Sequence, residues 1–217
     1  YDTVKDFAPV TQLNAIPLVI VVYPPFPAKN VGDLLQMAKA KPGAISHASF
    51  GMGSLSHLAA EIFKMMGNID MVHVPYKGGG PALIGTMAGE ASVYFSAINA
   101  ALPHIKSGRL RALAVTGSTR SKALPDVPTV AETPEFKGYE ASVLFGVLVP
   151  ARTPQDIIAR LHDAIFNIIQ TPKFRHSFEA EGASDPIANT PEQMSATIHV
   201  NMEKMAKVIK AAGITSE

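Results

Sequence analysis

The run Ile16-Pro17-Leu18-Val19-Ile20-Val21-Val22-Tyr23 is apolar throughout, rich in β-branched side chains, and ends abruptly at Pro24-Pro25. So short a piece with no polar face has to be covered from both sides, as a central strand of a parallel sheet is. It is also too short to cross a bilayer, which takes ~20 apolar residues. Beyond it, short apolar runs alternate with stretches of helical period. Asn30 is placed to cap a helix with Val31, Leu34, Leu35 and Ala38 on one face and Pro42-Gly43 as its stop. The spacing then predicts a strand over 45–49, a turn over 50–54, and a helix with Leu58, Ile62, Met65 and Met66 inward, ended by Gly67. Strands over 71–74, 91–95 and 110–115 alternate with helices over 82–88, where Pro81 takes the first position, and 102–106. Such alternation with short connections implies parallel pairing and an α/β layer fold.

From 116 to 139 the pattern lapses, and Pro125, Pro128 and Pro134 point to an extended surface excursion. A buried strand is expected over 143–149. Thr153-Pro154-Gln155-Asp156 then reads as a helix start, Thr153 capping, before a stripe of Ile157, Ile158, Leu161, Ile165, Ile168 and Ile169. The same start recurs at Thr190-Pro191-Glu192-Gln193, with Met194, Ile198, Met202, Met205 and Ile209 inward. These C-terminal helices outnumber the strands available to cover them.

Composition narrows the function. Among 217 residues, 19 Lys and Arg face 18 Asp and Glu, a net charge of +1. A protein that grips nucleic acid by its phosphates carries a basic excess, so nucleic acid is not an expected partner. The chain is 47% hydrophobic but only 17% charged, against a typical ~25% charged, which implies extensive burial and argues against disorder. Cysteine is absent, which removes disulfides, thiolate metal sites and cysteine nucleophiles. No signal peptide is visible, and a start at Tyr1-Asp2 without Met reads as a processed or trimmed product.

Two glycine-rich loops each run from a strand into a helix: Ser49-Phe50-Gly51-Met52-Gly53-Ser54-Leu55-Ser56-His57 and Tyr76-Lys77-Gly78-Gly79-Gly80-Pro81. Glycines let backbone approach a ligand closely, N–H groups converge, and a helix N-terminus adds positive potential, so the pattern suits a small anion. Neither loop has the dinucleotide or P-loop spacing. Of seven histidines, none forms a pair at metal-ligand spacing. His47 and His73 lie in expected strands as satisfied core positions, and His57 stands in the first turn of a helix behind a glycine loop. No nucleophile elbow surrounds Ser54. No catalytic constellation, metal site or cofactor is expected. The chain reads as a binder.

The ordered motifs Asp6-Phe7-Ala8-Pro9-Val10-Thr11, Lys41-Pro42-Gly43, Ser49-x-Gly51-x-Gly53-Ser54-x-x-His57-Leu58-Ala59, His73-Val74-Pro75-Tyr76-Lys77-Gly78, Ala101-Leu102-Pro103-His104-Ile105, Gly108-Arg109-Leu110-Arg111-Ala112-Leu113-Ala114-Val115 and Pro125-x-x-Pro128-Thr129-Val130-x-Glu132 resemble the Bug/TctC solute receptors of tripartite tricarboxylate transporters. Phe145-Gly146, Pro150-Ala151 and Thr153-Pro154 extend the likeness over essentially the whole chain. The resemblance implies a periplasmic binding protein of the type II (Venus flytrap) kind that delivers a small organic carboxylate to membrane transporter subunits without turnover. Carried over by position, the ligand-binding residues are Ser49, Gly51, Gly53, Ser54 and His57, then Tyr76, Lys77 and the Gly78 N–H. Many relatives place an acidic residue where Ser96 stands, which leans the expected ligand away from amino acids. The alternative is a flytrap effector-sensing module in signalling; an enzyme is a distant third.

Relatives begin with an export signal and further strands of a first domain, and this chain starts after them. The resemblance therefore implies one nearly complete ligand-binding lobe over 24–142 and part of a second over 1–23 and 143–217. A chain so trimmed at its N-terminus is expected to bind weakly or not at all beside a full-length version and to self-associate through open sheet edges.

Overall fold

The expected strand at 16–23 is the second half of a longer one. In the structure, a computed structural model describing residue 2, residues 4–180 and residues 187–214, β1 runs over Phe7–Val22. Its first half carries no apolar period because its buried positions include Thr11, Gln12 and Asn14. Hydrogen bonds replace apolar contacts there. Thr11 Oγ1 donates to the Asn189 carbonyl at 2.7 Å, and the Gln12 N–H donates to Asn189 Oδ1 at 2.8 Å. The Ile187 and Ala188 amides donate to Leu13 and Gln12 carbonyls.

The order continues α1 (Val31–Ala40), β2 (Ser46–Ser49), α2 (Leu55–Gly67), β3 (Val72–Pro75), α3 (Gly79–Ala88), β4 (Val93–Ala97), α4 (Ile98–Lys106) and β5 (Arg111–Val115). After the excursion come β6 (Ser142–Pro150), α5 (Gln155–Ile169), α6 (Pro172–Ala180) and α7 (Pro191–Ala211). Asn30 caps α1 as its spacing predicts, its Oδ1 accepting the Asp33 N–H at 2.8 Å, and Val31, Leu34, Leu35 and Ala38 are buried. α3 begins earlier than expected, at Gly79 with Pro81 third. Gly78 at φ +107° lets the chain turn into the helix there.

The sheet order is β3-β2-β4-β1-β5, with β6 pairing β1. β2 is parallel to β3 and β4, but β1 is antiparallel to both β4 and β5. The expectation of wholly parallel pairing is thus corrected. An apolar run reports coverage on both faces, and it carries no information on strand direction. By alternation, Val19 and Val21 join a core with Tyr94, Ala82, Leu83, Ile98 and Ala101 under α3 and α4. Ile20 pairs with Phe95 in register, and Phe95 meets Phe63 of α2 on the other side, ring centroids 5.8 Å apart.

The excursion is not extended throughout. It contains two short 3₁₀ turns, Val130–Glu132 and Pro134–Phe136. Thr129 and Glu132 form a capping box, and Arg120 Nε holds Glu132 Oε1 at 2.9 Å. These turns deliver Phe136 and Tyr139 to the core: Phe136 stacks on Phe63 at 4.3 Å, and the Tyr139 hydroxyl donates to the Ala59 carbonyl at 2.9 Å.

Several inward stripes are less covered than their spacing predicts. Met65 and Met66 on α2, Ile157, Leu161 and Ile168 on α5, and Met202 and Ile209 on α7 are exposed. β6 is not a buried strand either, since Leu144, Phe145 and Leu148 face solvent. Periodicity marks the side of a helix that can be buried; whether it is buried depends on a partner surface. Thr153 does not cap α5: its hydroxyl donates to the Pro150 carbonyl at 2.8 Å, and Pro154 occupies the cap position. Thr190 does cap α7, exchanging bonds with Gln193. Among the described residues, no helix is long and apolar enough to cross a membrane.

The chain divides into two compact units, Tyr1–Ile16 with Val143–Ala206 and Pro17–Ser142 with Lys207–Glu217. Relative to the expected boundaries, residues 17–23 and 207–217 group with the 24–142 segment. Within that second unit, the Phe63 ring lies at the junction of α2, β4 and the excursion. Phe63→Ala is expected to lower the unfolding free energy by about 3–5 kcal/mol, read from urea denaturation. A loss below about 1 kcal/mol would show that the ring stack contributes little.

Candidate functional site

β2, β3 and β4 are mutually parallel, so Ser49, Pro75 and Ala97 end at one edge of the sheet, where α2, α3 and α4 begin. Ligands of open α/β sheets gather at such strand ends. The two glycine loops are neighbours there: the Tyr76 N–H donates to the Ser49 carbonyl at 3.0 Å.

The first loop is held mainly by its own side chains. Gly51 and Gly53 take φ of +142° and +69°, which Cβ-bearing residues rarely adopt. Ser54 Oγ donates to the Gly51 carbonyl at 2.6 Å and accepts the His57 N–H at 3.4 Å, capping α2. Ser49 Oγ accepts the Gly51 N–H at 3.2 Å. The Gly53 N–H donates to His57 Nδ1 at 3.1 Å. The second loop is open by comparison. No side chain caps α3 behind Gly78, so the N–H groups of Gly79 and Gly80 in its first turn are of the kind that attract anions, Pro81 having none; in the first turn of α4, Asn99 Oδ1 already accepts the Ala100 N–H at 2.8 Å.

Of the residues expected from sequence, Ser49, Gly51, Gly53, Ser54, His57 and the backbone of Tyr76, Lys77 and Gly78 are thus brought to one edge. Two hydroxyls are engaged elsewhere. The Tyr76 ring lies against Gly85 and its hydroxyl donates to Glu90 Oε2 at 3.3 Å, towards the far end of α3. Ser96 is fully buried and its hydroxyl donates to the Ala97 carbonyl at 3.2 Å. Lys77 is exposed.

Behind the first loop stands a cluster that the sequence did not reveal. His47 on β2 and His73 on β3 are cross-strand neighbours, with ring centroids 5.0 Å apart. His57 stacks on His73 at 3.8 Å with planes 9° from parallel. His73 Nε2 lies 2.7 Å from Ser49 Oγ. Glu61, 6% exposed, places Oε1 3.7 Å from Nε2 of both His47 and His57 and 2.9 Å from Lys64 Nζ. His47 is not a satisfied core histidine: it is wholly buried, and neither ring nitrogen has a hydrogen-bond partner among the described residues. The sequence signal was the second position of Ser46-His47-Ala48-Ser49 and of Val72-His73-Val74-Pro75. Parallel pairing in register brings those two positions together; spacing along the chain does not.

Burial favours neutral imidazoles here. It pushes His47 and His57 down, against the opposing pull of Glu61. It also lowers His73 to about 4, helped by the two neighbouring rings. Burial alone would raise Glu61, but its contacts with His47 and Lys64 hold it below the usual carboxylate range. At 3.7 Å the His47 contact is too long for a hydrogen bond. With His47 neutral, the Lys64 ammonium is the partner that keeps Glu61 ionised. His57, His73, Glu61 and Lys64 line a concavity of about 330 Å³ with Met52 and Ala212–Ile214.

The family described as tripartite tricarboxylate transporter family receptor, TctC, matches residues 1–214. Protein BugT of Bordetella pertussis is 35% identical over 215 residues, covering 98% of this chain and 65% of its own length. The chain thus spans less than two thirds of that relative. Among solved structures, R. palustris Rpa4515 with adipate has a TM-score of 0.85 at 30% identity over 99% of this chain and 71% of that one. MatC from Rhodopseudomonas palustris with bound malate has a TM-score of 0.79 at 25% identity, over 96% and 71%. The partial flytrap fold, the glycine loops at one sheet edge and the family match lead to one conclusion: the chain belongs to the TctC (Bug) family of solute-binding receptors.

Proposed function

We propose that this protein is a periplasmic receptor that captures a small organic carboxylate for a tripartite tricarboxylate transporter and does no chemistry on it. The observation that carries the reading is the edge formed by Ser49, Pro75 and Ala97, where two glycine loops touch and α3 begins at Gly79 without a side-chain cap. Such N–H groups take up a carboxylate without a basic surface, in keeping with a net charge of +1. The adipate and malate held by the two related structures belong to that ligand class.

In this reading, the ligand-binding lobe is residues 24–142 with the adjoining 17–23 and 207–217 that group with them, and the rest of the chain belongs to a second. Ser49, Gly51, Gly53, Ser54 and His57 shape the first loop around the ligand. Tyr76, Lys77 and Gly78 supply the second, where Lys77 is exposed. Ser96 offers no negative charge to an ammonium group, so plain or hydroxylated dicarboxylates are preferred to amino acids.

Isothermal titration with adipate, malate, aspartate and glutamate tests this. Adipate or malate is expected to bind more tightly than either amino acid. Tighter aspartate or glutamate would overturn the ligand preference, and silence from all four in a version extended to the length of its relatives would overturn the receptor reading. Gly78→Ala puts a side chain where φ is +107°, a strain of about 1–3 kcal/mol. The folded variant, checked by its thermal transition, is expected to lose about tenfold or more in affinity for the preferred acid. Unchanged affinity would remove Gly78 from the site.

A further inference from the structure

The first glycine loop is fastened by groups that titrate. His57 Nδ1 accepts the Gly53 N–H, so its lone pair is on Nδ1 and its proton on Nε2, facing Glu61 Oε1 at 3.7 Å. His57 can take up a second proton only at Nδ1, where the Gly53 N–H already sits. Two donors would then face each other and the bond would be lost. His73 reaches the same loop through Ser49 Oγ, which also bonds both the N–H and the carbonyl of Gly51. His47, wholly buried, backs the stack, and among the described residues neither of its ring nitrogens has a hydrogen-bond partner.

We infer that the stack His47–His73–His57 is a proton-sensitive latch on the loop Phe50 to Ser54, closed while His57 is neutral and released when His57 gains a proton. His57 is a positioning residue: it acts through the Gly53 amide on the shape of the loop. The groups facing the stack are few. Glu61 and Lys64 come from the helix of His57 itself, His47 from β2 and His73 from β3. Lys39 and Asp70 share a second concavity with Glu61 and Lys64 on the side away from the loop. Glu61 is already engaged by Lys64 at 2.9 Å, so it compensates a new imidazolium poorly. Rings 3.8 Å apart cannot both be charged without strong repulsion, so the first proton also blocks the second.

The direction of the pH effect follows. In the closed state the imidazoles are held below their ordinary 6.5, His73 at about 4. The released loop exposes His57 to water and binds the proton more tightly. The latch is therefore fully closed well above pH 6.5 and weakens as the pH falls below it, by up to about tenfold per pH unit, until the lowered pKa of His57 in the closed state is passed.

The latch itself is tested without any ligand. Nitrogen NMR of the protein at pH 7 should show His57 with an unprotonated, hydrogen-bonded Nδ1. The hydrogen-exchange protection of the Gly53 amide should fall with the His57 titration, while that of the β4 amides does not. Asn at position 57 offers an oxygen that does not titrate, so His57→Asn should keep Gly53 protected and lose the pH dependence. Protection of Gly53 that stays constant while His57 titrates would overturn the latch. So would an unaltered pH dependence in His57→Asn. The effect on binding rests on the receptor reading above, and adipate titration separates the two. Affinity that falls with Gly53 protection in the wild type, and is flat with pH in His57→Asn, supports both. A loop that opens with acid while wild-type adipate affinity stays constant supports the latch and removes this loop from the binding site.

Discussion

Val19, Ile20, Val21 and Val22 are entirely shielded from water, and consecutive members of the set serve opposite cores. Each such side chain contributes ~1.5–3 kcal/mol through burial, but their arrangement constrains more than their sum. A slip of one residue in β1 would carry Val19 and Val21 away from Tyr94 and Ile98 and send Ile20 into their place. Pairing of Leu18 with Ala97 and of Val22 with Val93 then fixes β4. β4 in turn fixes β2 and β3, and so the edge where both glycine loops emerge. The placement of the candidate site is a consequence of how one strand is buried.

Much of this was legible in the residues because local and tertiary preferences agree. Asn30 caps, Val31, Leu34, Leu35 and Ala38 are buried, and Thr190 with Gln193 closes a box at the start of α7. The glycine loops fall where a helix follows a strand. What escaped has physical causes. The first half of β1 is held by hydrogen bonds to 187–189, which leave no periodicity to read. The direction of β1 is invisible because coverage on both faces looks alike in parallel and antiparallel strands. The exposed stripes of α5 and α7 show that amphipathic spacing reports capacity for burial. The histidine stack was missed for another reason: register across strands, not spacing along the chain, assembles it.

The same edge combines two kinds of polar group with opposite demands. The loop N–H groups gain from a negative ligand. The imidazoles behind them are stable in their burial only when uncharged. Ser49 touches both, bonding Gly51 on one side and His73 on the other. On the proposed reading, anion recognition and proton sensitivity are built from adjacent atoms, in a chain whose net charge is only +1.

Thr116 carries a different consequence. Its hydroxyl accepts the Leu18 N–H at 2.7 Å and lies 2.6 Å from the Ala141 carbonyl, while its own backbone bonds Leu18 and Ala141 again. One side chain thereby pins the segment entering the Pro17–Ser142 unit beside the segment leaving it. Their separation is set by bond lengths at a single residue and not by the length of the chain between 117 and 140. The exposed parts of that excursion can change length or sequence without moving either crossing point, provided the pairing of Thr129 with Val115, the buried Leu124 and Val130, and the aromatic anchors Phe136 and Tyr139 are kept.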